Sequence, residues 1–139
     1  MIVADTNLIA YLLIAGPFSE DAQRIFDLDD KWIAPSVWRH ELLNVLATSV
    51  RGSSLTADLA RSVWAHAPTF VKDAEVDAVK VLDLSIDSKF ATFDCYYVEL
   101  ARGLALPLVT ADKSLIKAFG DVAVSFTDFI AGREGRRKP

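Results

Sequence analysis

Four carboxylates stand out by where they fall in the chain: Asp5, Glu41, Asp94 and Asp112. Asp5 ends the apolar run Met1-Ile2-Val3-Ala4 and is followed by the small polar pair Thr6-Asn7. Asp112 comes just after Leu106-Pro107-Leu108-Val109-Thr110, Asp94 opens a helical pattern after Phe90-Ala91-Thr92-Phe93, and Glu41 borders the apolar stripe of a long helix. Two such charges about 4 Å apart repel by roughly 4 kcal/mol at an effective dielectric of about 20, so a cluster of them must protonate or take up a cation. Oxygen donors with no thiolate or imidazole among them favour Mg²⁺ or Mn²⁺ over zinc. A hard cation held by acids polarises a phosphoryl oxygen and lowers the pKa of an attacking water, which is metal-dependent phosphodiester chemistry. Each acid also has a purely structural reading. Asp is among the best helix N-caps, and a Glu at the border of a stripe can pack its stem while its head stays solvated.

Competing chemistries find little support. His40-Glu41 is not a zinc-protease helix, because the position four residues after His40 is Asn44. The chain has no glycine-rich phosphate loop and no Gly-x-Ser-x-Gly elbow, and Asp5-Thr6-Asn7-Leu8-Ile9 lacks the carboxylates and glycine of a calcium loop. Cys95 with His40 is permitted by spacing as a nucleophile pair, but a single Cys just inside a helix reads as packing. His66, near a helix end, reads as a surface residue compatible with the helix dipole.

The elements that must position the acids alternate between strand and helix. Leu8, Ile9, Leu12 and Leu13 predict a short helix ended by Gly16-Pro17, with Asp5 or Thr6 as its cap. A second helix follows Ser19 to about Asp29, and Trp32-Ile33-Ala34 is extended. Ser36 is placed to cap a helix running to Arg51-Gly52, whose stripe is Val37, Trp38, Leu42, Val45 and Leu46. Thr56 opens another helix, closed by Pro68, and 73–87 reads as helical with a short strand before it at 69–71. From Asp94 a helix runs to about Gly103, Leu106–Thr110 is a strand, Val122-Ala123-Val124 another, and Phe126–Ile130 a final helical turn. Helix-length crossovers between strands imply a mostly parallel sheet of four to five short strands flanked by helices. Parallel connections carry the C-terminal strand ends to one rim, the natural meeting place for acids that follow strands.

At 139 residues the chain is the size of one domain, and no repeat or linker divides it. Its 52% hydrophobic content contains no apolar run near the roughly 18 residues of a membrane span, and Asp5 interrupts the only N-terminal candidate for a signal sequence. With a single cysteine, this predicts a cytoplasmic protein without disulfides. The net charge of −4 argues against a simple phosphate-binding surface, yet the last seven residues hold four bases and one acid and leave 11 bases and 18 acids before them. Residues 133–139 are therefore set apart as a basic, flexible tail on a domain of residues 1–132, available to phosphate or free in solvent.

The opening Val3-Ala4-Asp5-Thr6-Asn7, the helix with Glu41, the segment Phe93-Asp94-Cys95-Tyr96-Tyr97-Val98-Glu99-Leu100-Ala101, and Leu106-Pro107-Leu108-Val109-Thr110-Ala111-Asp112 together resemble a PIN-domain ribonuclease. More narrowly, the chain resembles a VapC-type toxin of a type II toxin–antitoxin system, over Met1 to about Ile130. The resemblance implies a three-layer α/β fold and a site of Asp5, Glu41, Asp94 and Asp112 binding Mg²⁺ or Mn²⁺. It further implies endonucleolytic cleavage of RNA by water, a homodimer, and inhibition by a cognate antitoxin protein, with neither membrane nor organic cofactor. On this view Asp5 and Asp94 are the main ligands, Asp112 completes the cage, and Glu41 binds metal or orients the nucleophile. Thr6, Asn7 and Thr110 are donors that would hold the carboxylates in place, and the capping role after the first strand passes to Thr6. Lys89, Arg102 and Lys113 would form a basic rim for RNA. The remaining alternatives are a catalytically inactive PIN-like module that binds RNA or protein, and a PIN nuclease acting in RNA processing or on DNA.

Overall fold

Buried backbone needs hydrogen-bond partners, and the short strands of this chain find them in one parallel sheet. The structure, a computed structural model that describes residues 1–137, contains β1 (Ile2–Ala4), β2 (Trp32–Pro35), β3 (Val71–Ala74), β4 (Leu108–Val109) and β5 (Ala123–Val124). They pair in the order β3-β2-β1-β4-β5, all parallel. The central strand β1 is wholly buried, which is why its sequence is apolar without alternation. Among the described residues, eight α-helices connect and cover the sheet: α1 (Thr6–Leu13), α2 (Ser19–Leu28), α3 (Trp38–Arg51), α4 (Ala57–His66), α5 (Ala78–Ser88), α6 (Thr92–Leu104), α7 (Lys113–Ala118) and α8 (Phe126–Arg137). None is long and apolar enough to cross a membrane.

The strand order places a topological switch at the centre. From β1 the chain builds outward through β2 and β3, then returns to the other side of β1 for β4 and β5. A crevice opens beyond the strand ends at such a point, here between β1 and β4. Register sharpens this: Ala4 pairs with Val109, and the Asp5 amide donates to the Val109 carbonyl at 3.2 Å. Helix α6 lies against β1, β2 and β4, while α3 packs on α1 and α4. The largest fully buried side chains include Trp38 of α3 and Tyr97 of α6, the two helices that bring acids to the sheet from outside it.

Four expectations from sequence change. Asp5, not Thr6, is the N-cap of α1, accepting the Thr6 amide at 2.8 Å, because the helix begins one residue earlier than its apolar spacing suggests. Ser36 does not cap α3 through its side chain. Val37 is the cap, and the Ser36 carbonyl takes the Arg39 amide instead, at 3.2 Å. The helix assigned to 73–87 begins only at Ala78, capped by Asp77. Asp73 and Ala74 belong to β3, where Ala34 and Pro35 of β2 offer ladder partners that outweigh local periodicity. Finally, the boundary at Arg133 falls inside α8, which continues to Arg137. Arg133 pairs with Asp29 at 3.2 Å and covers the Phe129 ring, and Glu134 pairs with Arg24, so the described part of the basic segment is docked on α2 and its C-terminal end. Lys138 and Pro139 lie outside the described residues.

Candidate active site

The site is built from the ends of β1 and β4 and the first turns of α3 and α6. Asp5 leaves β1 and is only 8% exposed, so its carboxylate must find donors inside the protein. It does so through Thr6 N–H to Oδ1 at 2.8 Å, Thr110 Oγ1 to Oδ2 at 2.6 Å and Asn7 Nδ2 to Oδ2 at 3.1 Å. Thr110, fully buried at the end of β4, accepts the Asp112 amide at 3.0 Å. Asn7 Oδ1 accepts the Ala111 amide at 3.4 Å. Thr6, Asn7 and Thr110 thus tie the two strand ends to one another around Asp5.

Asp112 caps α7, and all three of its bonds fall on one oxygen. Oδ1 accepts from Ser114 N at 2.9 Å, Ser114 Oγ at 2.6 Å and Leu115 N at 3.2 Å. Asp94 lies in the first turn of α6, whose N-cap is Ala91, so it caps nothing. Among the described residues its carboxylate has no hydrogen-bond partner. Glu41 sits in the first turn of α3, half buried. Its Oε1 accepts from Tyr97 OH at 2.8 Å and from Thr6 Oγ1 at 3.2 Å. The Thr6 and Tyr97 hydroxyls also contact each other. Tyr97 is not among the site residues expected from the sequence. It falls three positions after Asp94, one turn along the same helix face, and that spacing was the available signal.

The electrostatics show which acids share the crevice. Burial pushes the Asp5 carboxyl up to about 6, opposed by its bonds from Thr110 and Thr6 and reinforced by the charges of Glu41 and Asp94. Burial raises Glu41 as well, with Asp94 adding to it against the bonds from Tyr97 and Thr6. Burial and then the charge of Asp112 raise Asp94. Asp112 itself is lowered, because the bonds from Ser114 and Leu115 outweigh its burial. Tyr97 is held protonated by burial and by the charges of Glu41 and Asp5. Asp5 and Glu41 thus feel the charge of Asp94, and Asp94 that of Asp112.

The donor set fits a hard divalent cation: four carboxylates and no thiolate or imidazole, with like charges that a cation would relieve. Among the described residues no three acids converge closely enough to make a finished cage. Cys95 is not a competing nucleophile. Its thiol is buried, raised by that burial, and faces the Phe90 carbonyl at 3.8 Å and Ser88 Oγ at 3.9 Å rather than a histidine. Of the three basic residues expected at the rim, Lys89 and Lys113 flank the starts of α6 and α7. Arg102 does not join them. It lies about 12 Å farther along α6 than Asp94 and is bound to Asp121 at 2.8 and 3.1 Å.

The model of the PIN domain family matches residues 2–120. The chain belongs to the PIN domain family. PIN domains are generally nucleases, commonly dependent on divalent metals, and the acid crevice lies within the matched residues. The fold of this PIN domain is similar to the crystal structure of PAE2754 from Pyrobaculum aerophilum, with a TM-score of 0.78, 16% identity and 96% of each chain covered. At that identity the likeness speaks for the fold alone. No curated protein matches the sequence.

Proposed function

We propose that this PIN domain is a Mg²⁺- or Mn²⁺-dependent endoribonuclease, acting as the toxin of a toxin–antitoxin pair. The observation that carries the hydrolytic part is the coupled acid group: a buried Asp5 raised to about 6, with Glu41, Asp94 and Asp112 gathered at the sheet's switch point. Asp5 and Asp94 hold the cation, and Asp112 offers its Oδ2, since its capping bonds use Oδ1. Glu41 contributes a ligand oxygen or orients the water. When bound, the cation supplies Lewis acidity for the phosphoryl oxygen and activation of the attacking water. Thr110, Asn7 and Thr6 keep Asp5 fixed in one orientation, so that less reorganisation is needed on binding. Lys89, just before α6, and Lys113, the first residue of α7, would supply phosphate contacts.

The toxin role, the antitoxin partner and a homodimer rest on the motif resemblance described above. The test is cleavage of single-stranded RNA by the purified protein with Mn²⁺, with chelator, and in Asp5→Asn and Asp94→Asn. Cleavage is expected only for the wild type with metal, leaving no 2′,3′-cyclic phosphate because water rather than the 2′-hydroxyl attacks. Cleavage that persists with chelator and in both variants would end the hydrolase reading, and RNA binding without cleavage under any condition would favour the non-catalytic module. For the biological role, expression should arrest growth, and Asp5→Asn should relieve the arrest.

A further inference from the structure

We propose that Tyr97 is a positioning residue for the acid site: its hydroxyl, together with that of Thr6, fixes Glu41 by one carboxylate oxygen and leaves the other for the ligand. This rests on the reading of the crevice as a cation site. Tyr97 is 1% exposed, and a Phe ring would fill the same apolar space. A buried hydroxyl costs free energy unless it is bonded, so its presence calls for a polar partner. That partner is Glu41. The phenol donates to Oε1 at 2.8 Å, and Thr6 Oγ1 reaches the same atom at 3.2 Å. Among the described residues no hydrogen bond falls on Oε2.

A glutamate in the first turn of a helix has three side-chain torsions and would otherwise sample several orientations. Two hydroxyls on one oxygen remove that freedom before any ligand arrives. The clamp also joins three elements. Tyr97 stands one turn after Asp94 on α6, Thr6 adjoins Asp5 at the start of α1, and Glu41 comes from α3. A single phenol thus sets the register of Glu41 against two other acids of the group.

The experiment uses the full chain, with Mn²⁺ as the probe. Mn²⁺ affinity is measured by electron paramagnetic resonance titration for wild type, Y97F, Thr6→Val and Thr6→Ser, beside thermal unfolding in chelator and single-turnover RNA cleavage. Y97F and Thr6→Val should bind Mn²⁺ roughly tenfold or more weakly, in line with the loss of a group that orients a ligand. Thr6→Ser should retain wild-type affinity. Cleavage should lose kcat with little change in KM for RNA, because the RNA itself is not held by Tyr97. A lower unfolding temperature with unchanged Mn²⁺ affinity would make the hydroxyl structural only and overturn the proposal. Should Y97F not fold, equal affinities of Thr6→Val and Thr6→Ser would overturn it as well. A wild type that binds no Mn²⁺ is a different result, since it removes the cation site itself and the positioning role with it.

Discussion

At the scale of single residues, the ionised forms of Asp5, Glu41 and Asp94 are held at a cost to the folded state. Asp5 is near 3.8 when unfolded and is raised to about 6 in the fold, so between those values the folded protein holds the extra proton. Stability contributed by that protonated form is complete below about 3.8 and is lost as the pH rises through about 6. Two pKa units correspond to on the order of 3 kcal/mol. Glu41 and Asp94 are shifted in the same direction, whereas Asp29 and Asp112 are lowered and lose their contribution only below the ordinary carboxylate range. Urea unfolding in chelator should therefore give a lower free energy at pH 7.5 than at pH 4.5, with the difference reduced in Asp94→Asn. A free energy that climbs across this interval would contradict the buried-charge account. Asp5, Asp94 and Asp112 were legible in the sequence because they follow a strand or open a helix, and Glu41 because it borders the apolar stripe of α3. Tyr97 was not, because its polar role depends on a partner 56 positions away that no local pattern records.

At the scale of elements, two acids serve two purposes. Asp5 and Asp112 cap α1 and α7 as well as lining the crevice, so the structural and functional readings of these residues do not exclude one another. Asn caps a helix about as well as Asp. Asp112→Asn should therefore change thermal stability by less than about 1 kcal/mol while weakening Mn²⁺ binding, and Asp112→Ala should lose both. Calorimetric unfolding with and without Mn²⁺ separates the two effects, and equal metal-induced stabilisation in wild type and Asp112→Asn would remove Asp112 from the site. The same element scale explains where periodicity misled. Residues 73–77 look helical by spacing, but pairing with β2 claims Asp73 and Ala74, and the Asp73 carboxylate then accepts from Trp38 Nε1 at 2.6 Å and Arg39 at 3.0 Å. Propensity is a local quantity, and a ladder partner far along the chain overrides it.

At the scale of the whole molecule, alternating strands and helices were enough to give a parallel sheet with helices around it, but not the strand order. That order puts the switch between β1 and β4 and so brings Asp5 onto the Thr110 hydroxyl, which also accepts the Asp112 amide. The extent of α8 was equally hidden, since the polar residues after Ile130 carry no apolar stripe and are held by ion pairs of Arg133 and Glu134 with Asp29 and Arg24. If a cation belongs among the acids gathered by this topology, its binding is linked to the release of protons. Mn²⁺ titration by calorimetry at pH 6, in buffers of different ionisation enthalpy, should show release of roughly half a proton from Asp5 on binding, given its value of about 6. At pH 8 the release should vanish, and in Asp5→Asn it should be absent at both. Mn²⁺ binding with no proton release at pH 6, or binding unchanged in Asp5→Asn, would contradict the assignment of this crevice as the metal site.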